Sequence, residues 1–531
     1  MNSALVMEKP SFTSIRKPQL LAGALLIALY LFFLNPHLDV KEFNQHDPAQ
    51  YLIRAMTISQ GLGYGVAYVD QYLGVTSQPP GFSFLLSPVV GIFGFNFMVL
   101  KIFMLFLTGI FVYALIYFFK YFLTDHDWVL YPVLMVMASP VIFGLSHRVM
   151  SDIPLFTLMA FALVFLDVSL KNKSSIVSFP LFLAAIFTVT AYSFKLTALG
   201  AVAGGWFLFL HPNYRNKQVF LKLVLFTILV FVPVKLWDHW TTTIPDEWYW
   251  THPGKDFFLR EPFKSDGSAT TIAEFIVRAR RNIVYGMVCN LNSILVAPFY
   301  FIEGELSGFI LGLPIAIWLF WQWLKSYMKV PSVLEGFMAF SFAMLLLKFY
   351  GFSNRFVALT FPVAMVYSIR GAQNWPAKIK ALALHGLLIL SVITTFAVAM
   401  IQWRDPYGSQ IMRDYVSMAE QAKKLMPAGT NSAAPLGGHW WTLTGHKAYY
   451  QPKNLLTSSE PTYVVALRDS TFQNVEEIAH LWEAGKIRLV DHDILKDGFE
   501  LKALVEQQPN LFKLIAQNSR FSLYETVRGN G

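Results

Sequence analysis

The sequence predicts an all-α polytopic membrane domain of about eleven transmembrane helices, residues 1–402, followed by a small extracytoplasmic α/β domain, residues 403–531. Three observations carry this reading. Hydrophobic residues make up 55% of the 531 and charged residues only 14%, against about 25% charged in an average soluble domain. Phe occurs 48 times and Trp 14 times, as suits a chain that packs in lipid and anchors at interfaces with aromatic rings. Apolar runs near span length recur as far as residue 402 and then stop.

A spanning helix needs about 20 mostly apolar residues. The first run, Leu20–Leu34, follows Lys9, Arg16 and Lys17, lacks a small-x-small cleavage site and ends in Asn35-Pro36, so it is expected to stay as a first helix with a cytoplasmic N-terminus. The others are Ile102–Phe119, Trp128–Ser146, Ile153–Leu166, Ser174–Phe194, Leu196–Leu210, Val219–Trp237, Leu306–Leu324, Gly336–Leu347, Phe356–Ile369 and Ala381–Gln402. Lys120, Lys171/Lys173, Arg215/Lys217/Lys222, Lys325/Lys329 and Arg370/Lys378/Lys380 then fall on alternate loops, all on the N-terminal side. Pro79–Phe97 is uncharged but opens on Pro79-Pro80 and contains Gly81, Pro88, Gly91 and Gly94. A crossing there would throw three basic clusters outside, so a helix at or dipping into the outer interface is expected. Residues 272–303, headed by Arg278, Arg280 and Arg281, read as a juxtamembrane helix, and counting such segments as an even number of extra crossings gives a thirteen-span alternative.

The outer pieces are then loop 36–78, loop 238–305 and the tail. The tail has strand-like runs at Tyr463–Leu467, Ile487–Val490 and Phe521–Tyr524 and helical stretches near 410–425 and 474–485. The single cysteine, Cys289, rules out an intramolecular disulfide and cysteine-pair zinc sites. The excess of 42 Lys and Arg over 33 Asp and Glu belongs to cytoplasmic loops, because no basic stripe with interleaved aromatics marks a nucleic-acid partner. The histidines, among them His439 and His446, lack metal-motif spacing.

The first outer loop is the most informative. It runs Asn44-Gln45-His46-Asp47-Pro48-Ala49-Gln50-Tyr51, then Gly61-Leu62-Gly63-Tyr64, then Thr76-Ser77-Gln78-Pro79-Pro80-Gly81-Phe82. Asp47 before Pro48 alone reads as a helix cap. Further on come His147-Arg148-Val149-Met150-Ser151-Asp152-Ile153-Pro154, Ser193-Phe194-Lys195-Leu196-Thr197 and Asn354-Arg355-Phe356, each beside an apolar run. Taken singly, Asp152 would cap a helix, and Lys195 and Arg355 would be snorkelling residues at the interface.

In their shared order, over residues 19–400, these motifs resemble the GT-C glycosyltransferases, above all the branch of protein O-mannosyltransferases and lipid A aminoarabinose transferases. That resemblance implies a multispanning enzyme that takes a sugar from a polyprenyl-phosphate donor at the outer face of the cytoplasmic membrane. It makes Asp47 the essential first-loop acid and Tyr51 the tyrosine that follows it. It also makes Asp152 the second acidic motif, Lys195 the Lys-containing turn and Arg355 the lipid-phosphate site. His46 and Arg148, beside these motifs, complete the expected substrate-binding set. The chain departs from many relatives in having Pro48 where they carry a second acid, and from some in having Ser77-Gln78 where they carry Glu-Lys. No metal ligand is assigned, and a divalent cation (Mg or Mn) is left open.

The chemistry agrees with the resemblance. A base must take the acceptor hydroxyl's proton, and cations must stabilise the departing phosphate. Asp47 suits the first task and Arg355, with Lys195 or Arg148, the second. The acceptor is a lipid, glycan or protein, and membrane lipids surround the domain. The alternative, a transporter or lipid flippase, would place charges at the midplane or break helices in repeat-related pairs. Here the charges keep to span ends and no repeat is found.

Overall fold

The computed structural model describes residues 17–34, 47–67, 72–73, 79–123, 129–172, 175–242, 271–284, 296–297, 305–329, 331–347, 354–404, 409–449, 462–468, 474–483 and 489–527. The first half of the membrane part comprises α1 (Lys17–Phe32), α2 (Asp47–Ser59), the short pair β1 (Val66–Ala67) and β2 (Tyr72–Leu73), α3 (Gly81–Phe93), α4 (Phe97–Phe122), α5 (Leu130–Met137), α6 (Pro140–Ser146), α7 (Asp152–Lys171), α8 (Phe179–Tyr192) and α9 (Gly200–Leu210). There follow α10 (Lys217–Thr242), α11 (Ile272–Asn282), α12 (Glu305–Lys329), α13 (Val333–Leu347), α14 (Asn354–Ala358), α15 (Phe361–Ala372) and α16 (Ala377–Arg404). The tail holds α17 (Gln410–Leu425), β3 (Asn431–Ala433), α18 (Gly437–Thr444), β4 (Thr462–Leu467), α19 (Val475–Glu483), α20 (Leu489–Gln507), β5 (Phe512–Gln517) and β6 (Phe521–Thr526).

Every run expected to span contains α-helix among its described residues. Phe97–Phe122, Asp152–Lys171, Lys217–Trp237, Ser307–Lys329 and Ala377–Arg404 are long and apolar enough to cross a membrane unaided. Two expected spans are broken: Trp128–Ser146 forms α5 and α6, and Phe356–Ile369 is divided between α14 and α15. At the first break Ser139 is extended (ψ 129°) ahead of Pro140, as a residue before proline prefers. The carbonyls freed there are met by protein. Tyr30 Oη donates to Met137 O at 2.9 Å, and Thr395 Oγ1 to Ala138 O at 2.5 Å, so side chains of α1 and α16 satisfy the carbonyls at the break. Within Pro79–Phe97 the chain forms α3, whose 13 residues reach only ~20 Å. That is short of a ~30 Å hydrocarbon core.

Small residues set the closest helix approach. A Cβ on Gly336 of α13 would lie 2.3 Å from Phe207 Cβ and 2.8 Å from Gly204 Cα of α9, and one on Gly204 would lie 2.5 Å from Val333 O. Helices in lipid gain from such backbone contact because no hydrophobic effect drives them together. At the far end of α7, about 22 Å from Asp152 by helical rise, Asp167 Oδ2 accepts from Tyr121 Oη at 2.8 Å and pairs with Lys171 at 2.7 Å, while Oδ1 accepts from Val333 N at 3.0 Å. Nearby, buried Glu335 accepts from Ser326 and Ser332, and Arg370 bridges Ser326 Oγ (2.7 Å) and Phe122 O (2.9 Å). This satisfied network knits α4, α7, α12, α13 and α15.

The tail is an α/β unit with sheet order β3-β4-β6-β5, in which only the β3–β4 pair is parallel. All six residues of β4 are buried. Tyr463, Val465 and Leu467 join one core with Met412, Trp440 and Phe521, while Val464 and Ala466 join another with Leu501 and Val505. A strand covered on both faces reads as one continuous apolar run, which is why β4 was legible. The expected strand Ile487–Val490 is corrected: Leu489 and Val490 open α20, and Ile487 lies outside the described residues.

Asp497, on α20, accepts from Leu436 N at 3.0 Å and thereby holds a non-glycine residue in the left-handed region (φ 47°). Burial, reinforced by Asp493 and Glu500, pushes its carboxyl up to about 6. The native pKa exceeds the unfolded one, so the folded tail binds the extra proton between pH ~4 and ~6, and the resulting stability is lost as pH rises through about 6. Lowering pH from 7 to 5 is expected to raise the tail's unfolding temperature, and Asp497→Asn to flatten that rise, by on the order of 2 kcal/mol at most. An unchanged pH slope in thermal melts of Asp497→Asn would contradict this.

Candidate active site

Asp152 is the first residue of α7, preceded by Ser151, and it is 2% exposed. Its side chain does not cap the helix. Oδ1 accepts from Lys195 Nζ at 2.6 Å and Oδ2 from Arg355 Nε at 2.7 Å, so residues 43 and 203 positions away meet on one carboxylate. The cap and snorkelling readings both give way to an ion triad. A carboxylate at a helix N-terminus also gains from the macrodipole. The Arg355 bond uses Nε, and the guanidinium's other four N–H groups lie on its terminal nitrogens. The Arg355 side chain is 7% exposed and that of Lys195 19%, so the triad is most accessible on the lysine side.

Local structure explains these positions. Lys195 is extended between α8 and a 3₁₀ turn at Leu196–Leu199. Gly81, at the head of α3, donates its N–H to Ser193 O at 2.6 Å. A Cβ on Gly81 would lie 2.2 Å from Ser193 Oγ and 2.7 Å from Ser193 O. The Pro79-Pro80-Gly81 motif therefore lies directly against the turn that carries Lys195. Phe82 then stacks edge-on against Tyr51 (5.0 Å) and tilts onto Phe194 (6.2 Å). Gly81→Ala is expected to destabilise the protein by about 1–3 kcal/mol. Adding Ser193→Ala should not rescue it, because the clash with the carbonyl remains; full rescue in thermal melts would show the contact to be side chain alone.

Tyr51 is buried, and its hydroxyl lies 3.1 Å from Ser151 Oγ. It thus ties α2 to the residue beside Asp152. Asp47 is the first residue of α2, one turn before Tyr51, and residues so spaced have Cβ atoms ~5–6 Å apart. The Asp47 side chain and the whole of His46 lie outside the described residues. Arg148 is half-buried in the turn before Asp152, with its guanidinium beside Gly144.

Three contributors were not singled out from sequence. Lys101, fully buried on α4, donates to His147 O at 2.5 Å and so braces the turn leading to Asp152. Gly81 was quoted only within its motif. Trp441, on α18, packs with Ile53 of α2 and Val66 and edge-on against Phe95 (6.0 Å), so the tail sits on the helix that begins at Asp47. Its neighbour Trp440, on the same helix, belongs instead to the core of the tail. Among the described residues no group of three His, Cys, Asp or Glu side chains is arranged to hold a metal ion.

The structure is a largely apolar helical domain with an ion triad at the start of α7, followed by a small α/β unit, and a solved chain shares this fold over nearly its whole length. In particular it is similar to ArnT from Cupriavidus metallidurans bound to undecaprenyl phosphate (TM-score 0.57, 11% identity, 96% of this chain and 98% of that one). It is also similar to the apo state of the same protein (TM-score 0.56, 11% identity, 96% and 97%). The archaeal oligosaccharyltransferase AglB from Archaeoglobus fulgidus, in complex with an inhibitory peptide and a dolichol-phosphate, aligns at TM-score 0.46 with 12% identity, over 88% of this chain and 72% of that one. No protein-family model and no curated protein sequence matches the chain. At such identities the likeness is one of fold.

Proposed function

We propose that the protein is an integral membrane glycosyltransferase. It transfers one sugar from a polyprenyl-phosphate-linked donor to an acceptor hydroxyl at the outer face of the cytoplasmic membrane, with the N-terminus cytoplasmic and the tail outside. The observation that carries this is the convergence of Lys195 and Arg355 on Asp152, in the fold of a protein bound to undecaprenyl phosphate.

Asp47 takes the proton of the acceptor hydroxyl as its oxygen attacks the anomeric carbon. The bond from that carbon to the phosphate oxygen breaks, and its electron pair leaves on the polyprenyl phosphate. The phosphodiester becomes a monoester, so the leaving group gains negative charge, and this is where Arg355 and Lys195 act, with Arg148 close by. Asp152 holds both cations in place before substrate arrives, so less ordering is required on binding. A single displacement inverts the anomeric carbon. Tyr51 and His46, close to the base in sequence, are assigned to substrate binding.

Binding of undecaprenyl phosphate to the protein in nanodiscs tests the cation site. Arg355→Lys keeps a charge opposite Asp152 but loses the fork, and is expected to bind roughly tenfold more weakly, the worth of about one charge-assisted hydrogen bond. Lys195→Met is expected to do the same. Wild-type affinity in both variants would refute the site.

A further inference from the structure

Helix α2 opens on Asp47 and is held from two opposite sides. From Pro48 to Ile58 none of its residues is exposed, although a surface helix ordinarily leaves one face to solvent. At about 100° per residue, Asp47 and Tyr51 share a face, ~40° apart, and Ile53 lies ~160° round from Tyr51. On the Tyr51 side the hydroxyl meets Ser151 Oγ at 3.1 Å, beside Asp152. The Ile53 side is covered by the tail. Ile53, buried, forms a small cluster with Val66 of β1 and Trp441 of α18, and Phe95, in the turn between α3 and α4, meets the Trp441 ring edge-on at 6.0 Å. Trp441 is in turn fixed within the tail. Its neighbour Trp440 is buried in the tail's core against Tyr415 (5.8 Å), and Leu436 N, at the head of α18, donates to Asp497 at 3.0 Å. Lys447 Nζ lies 5.7 Å from the centre of the Trp441 ring, a cation–π contact from within the tail.

We propose that Trp441 is a positioning residue: through this side chain the tail holds α2 at the triad end of the membrane domain and so sets how Asp47 is presented to the acceptor. A general base works only when held within a fraction of an ångström of the productive geometry. A buried indole suits that task, being large and having only two rotatable bonds to order. Without it the Ile53 face of α2 borders a void that its neighbours fill only in part, and the helix is free to shift away from Ser151. The tail is then a working part of the catalytic unit rather than an appendage to it. The catalytic consequence rests on the reading of Asp47 as base, whereas the holding of α2 stands on the contacts alone.

The test uses the full chain in nanodiscs. Trp441→Ala opens the contact from the tail, and Phe95→Ala opens it from the membrane domain with the tail untouched. Hydrogen exchange read by mass spectrometry follows the amides of α2 and, as an internal standard for the tail, those of β4. In both variants α2 is expected to exchange roughly tenfold faster and β4 at the wild-type rate, while Trp441→Phe keeps α2 slow. Undecaprenyl-phosphate affinity should stay at the wild-type value, because the contact lies on the face of α2 away from Ser151. With undecaprenyl-phosphate-linked hexose or pentose as donor, kcat is expected to fall by about 10²-fold, the effect of a misplacement on the order of 1 Å, with the donor KM little changed and most of kcat restored in Trp441→Phe. Misfolding alone would lower binding and transfer together. Wild-type exchange of α2 in both Trp441→Ala and Phe95→Ala, or wild-type kcat in a variant whose α2 exchanges fast, would overturn the proposal. A wild-type protein that transfers no sugar would instead overturn the transferase reading, and the exchange rates would still decide whether Trp441 holds α2.

Discussion

Asp152→Asn is expected to cause the largest loss of any single replacement in the membrane domain. The carboxylate accepts from two cations, at 2.6 and 2.7 Å, and an amide offers one oxygen acceptor and a donor that faces positive charge. Arg355, at 7% side-chain exposure, has little access to solvent, whereas Lys195, at 19%, can turn toward it. Breaking a buried pair by removing one partner costs about 3–5 kcal/mol, because a charge is left uncompensated. A clear fall in unfolding temperature should accompany loss of polyprenyl-phosphate binding. The double variant Asp152→Asn/Lys195→Met removes one orphaned cation, so it should recover part of the stability and none of the binding. Recovery of both would mean that Lys195 has no role beyond pairing with Asp152.

Asp47→Asn is expected to behave in the opposite way. Asn is an equally good residue at a helix start, so α2 should form and Tyr51 should still reach Ser151. Melting temperature and polyprenyl-phosphate affinity should stay near wild type. Sugar transfer should fall by about 10²–10⁴, the range a positioned general base contributes. Transfer within a few-fold of wild type would remove Asp47 from the mechanism; loss of binding along with transfer would make it a binding group rather than a base.

The contrast between these two carboxylates shows what the sequence could convey. The resemblance of their motifs in shared order singled out Asp47, Asp152, Lys195 and Arg355, which by residue type alone read as helix caps and snorkelling residues. That Lys195 and Arg355 meet on one carboxylate was not legible, since it depends on how α7, α8 and α14 pack. Spans were legible because lipid demands about 20 apolar residues. The break at Ser139-Pro140 was not. Pro88, Pro233 and Pro314 lie inside continuous helices, and what distinguishes Pro140 is that Tyr30 and Thr395 receive the freed carbonyls. In the tail, buried β4 announced itself, while β3, with three residues, and half-exposed β5 carried too little pattern. Leu489 and Val490 mimic a strand because their helix begins with two apolar residues before its polar face appears. Gly81 required structure for a different reason. A glycine after two prolines reads as a turn, and only the approach of Ser193 shows that the absent Cβ is what admits the neighbouring turn.

The most direct test of the central claim is a structure of the nanodisc-bound protein with undecaprenyl phosphate added, read for the position of the phosphate. Density within hydrogen-bonding distance of Arg355 and Lys195, at the Asp152 end of α7 and facing the start of α2, is the predicted result. Phosphate at the far end of α7 near Arg370, or an empty Asp152 end beside a continuous central path through the bundle, would contradict the account.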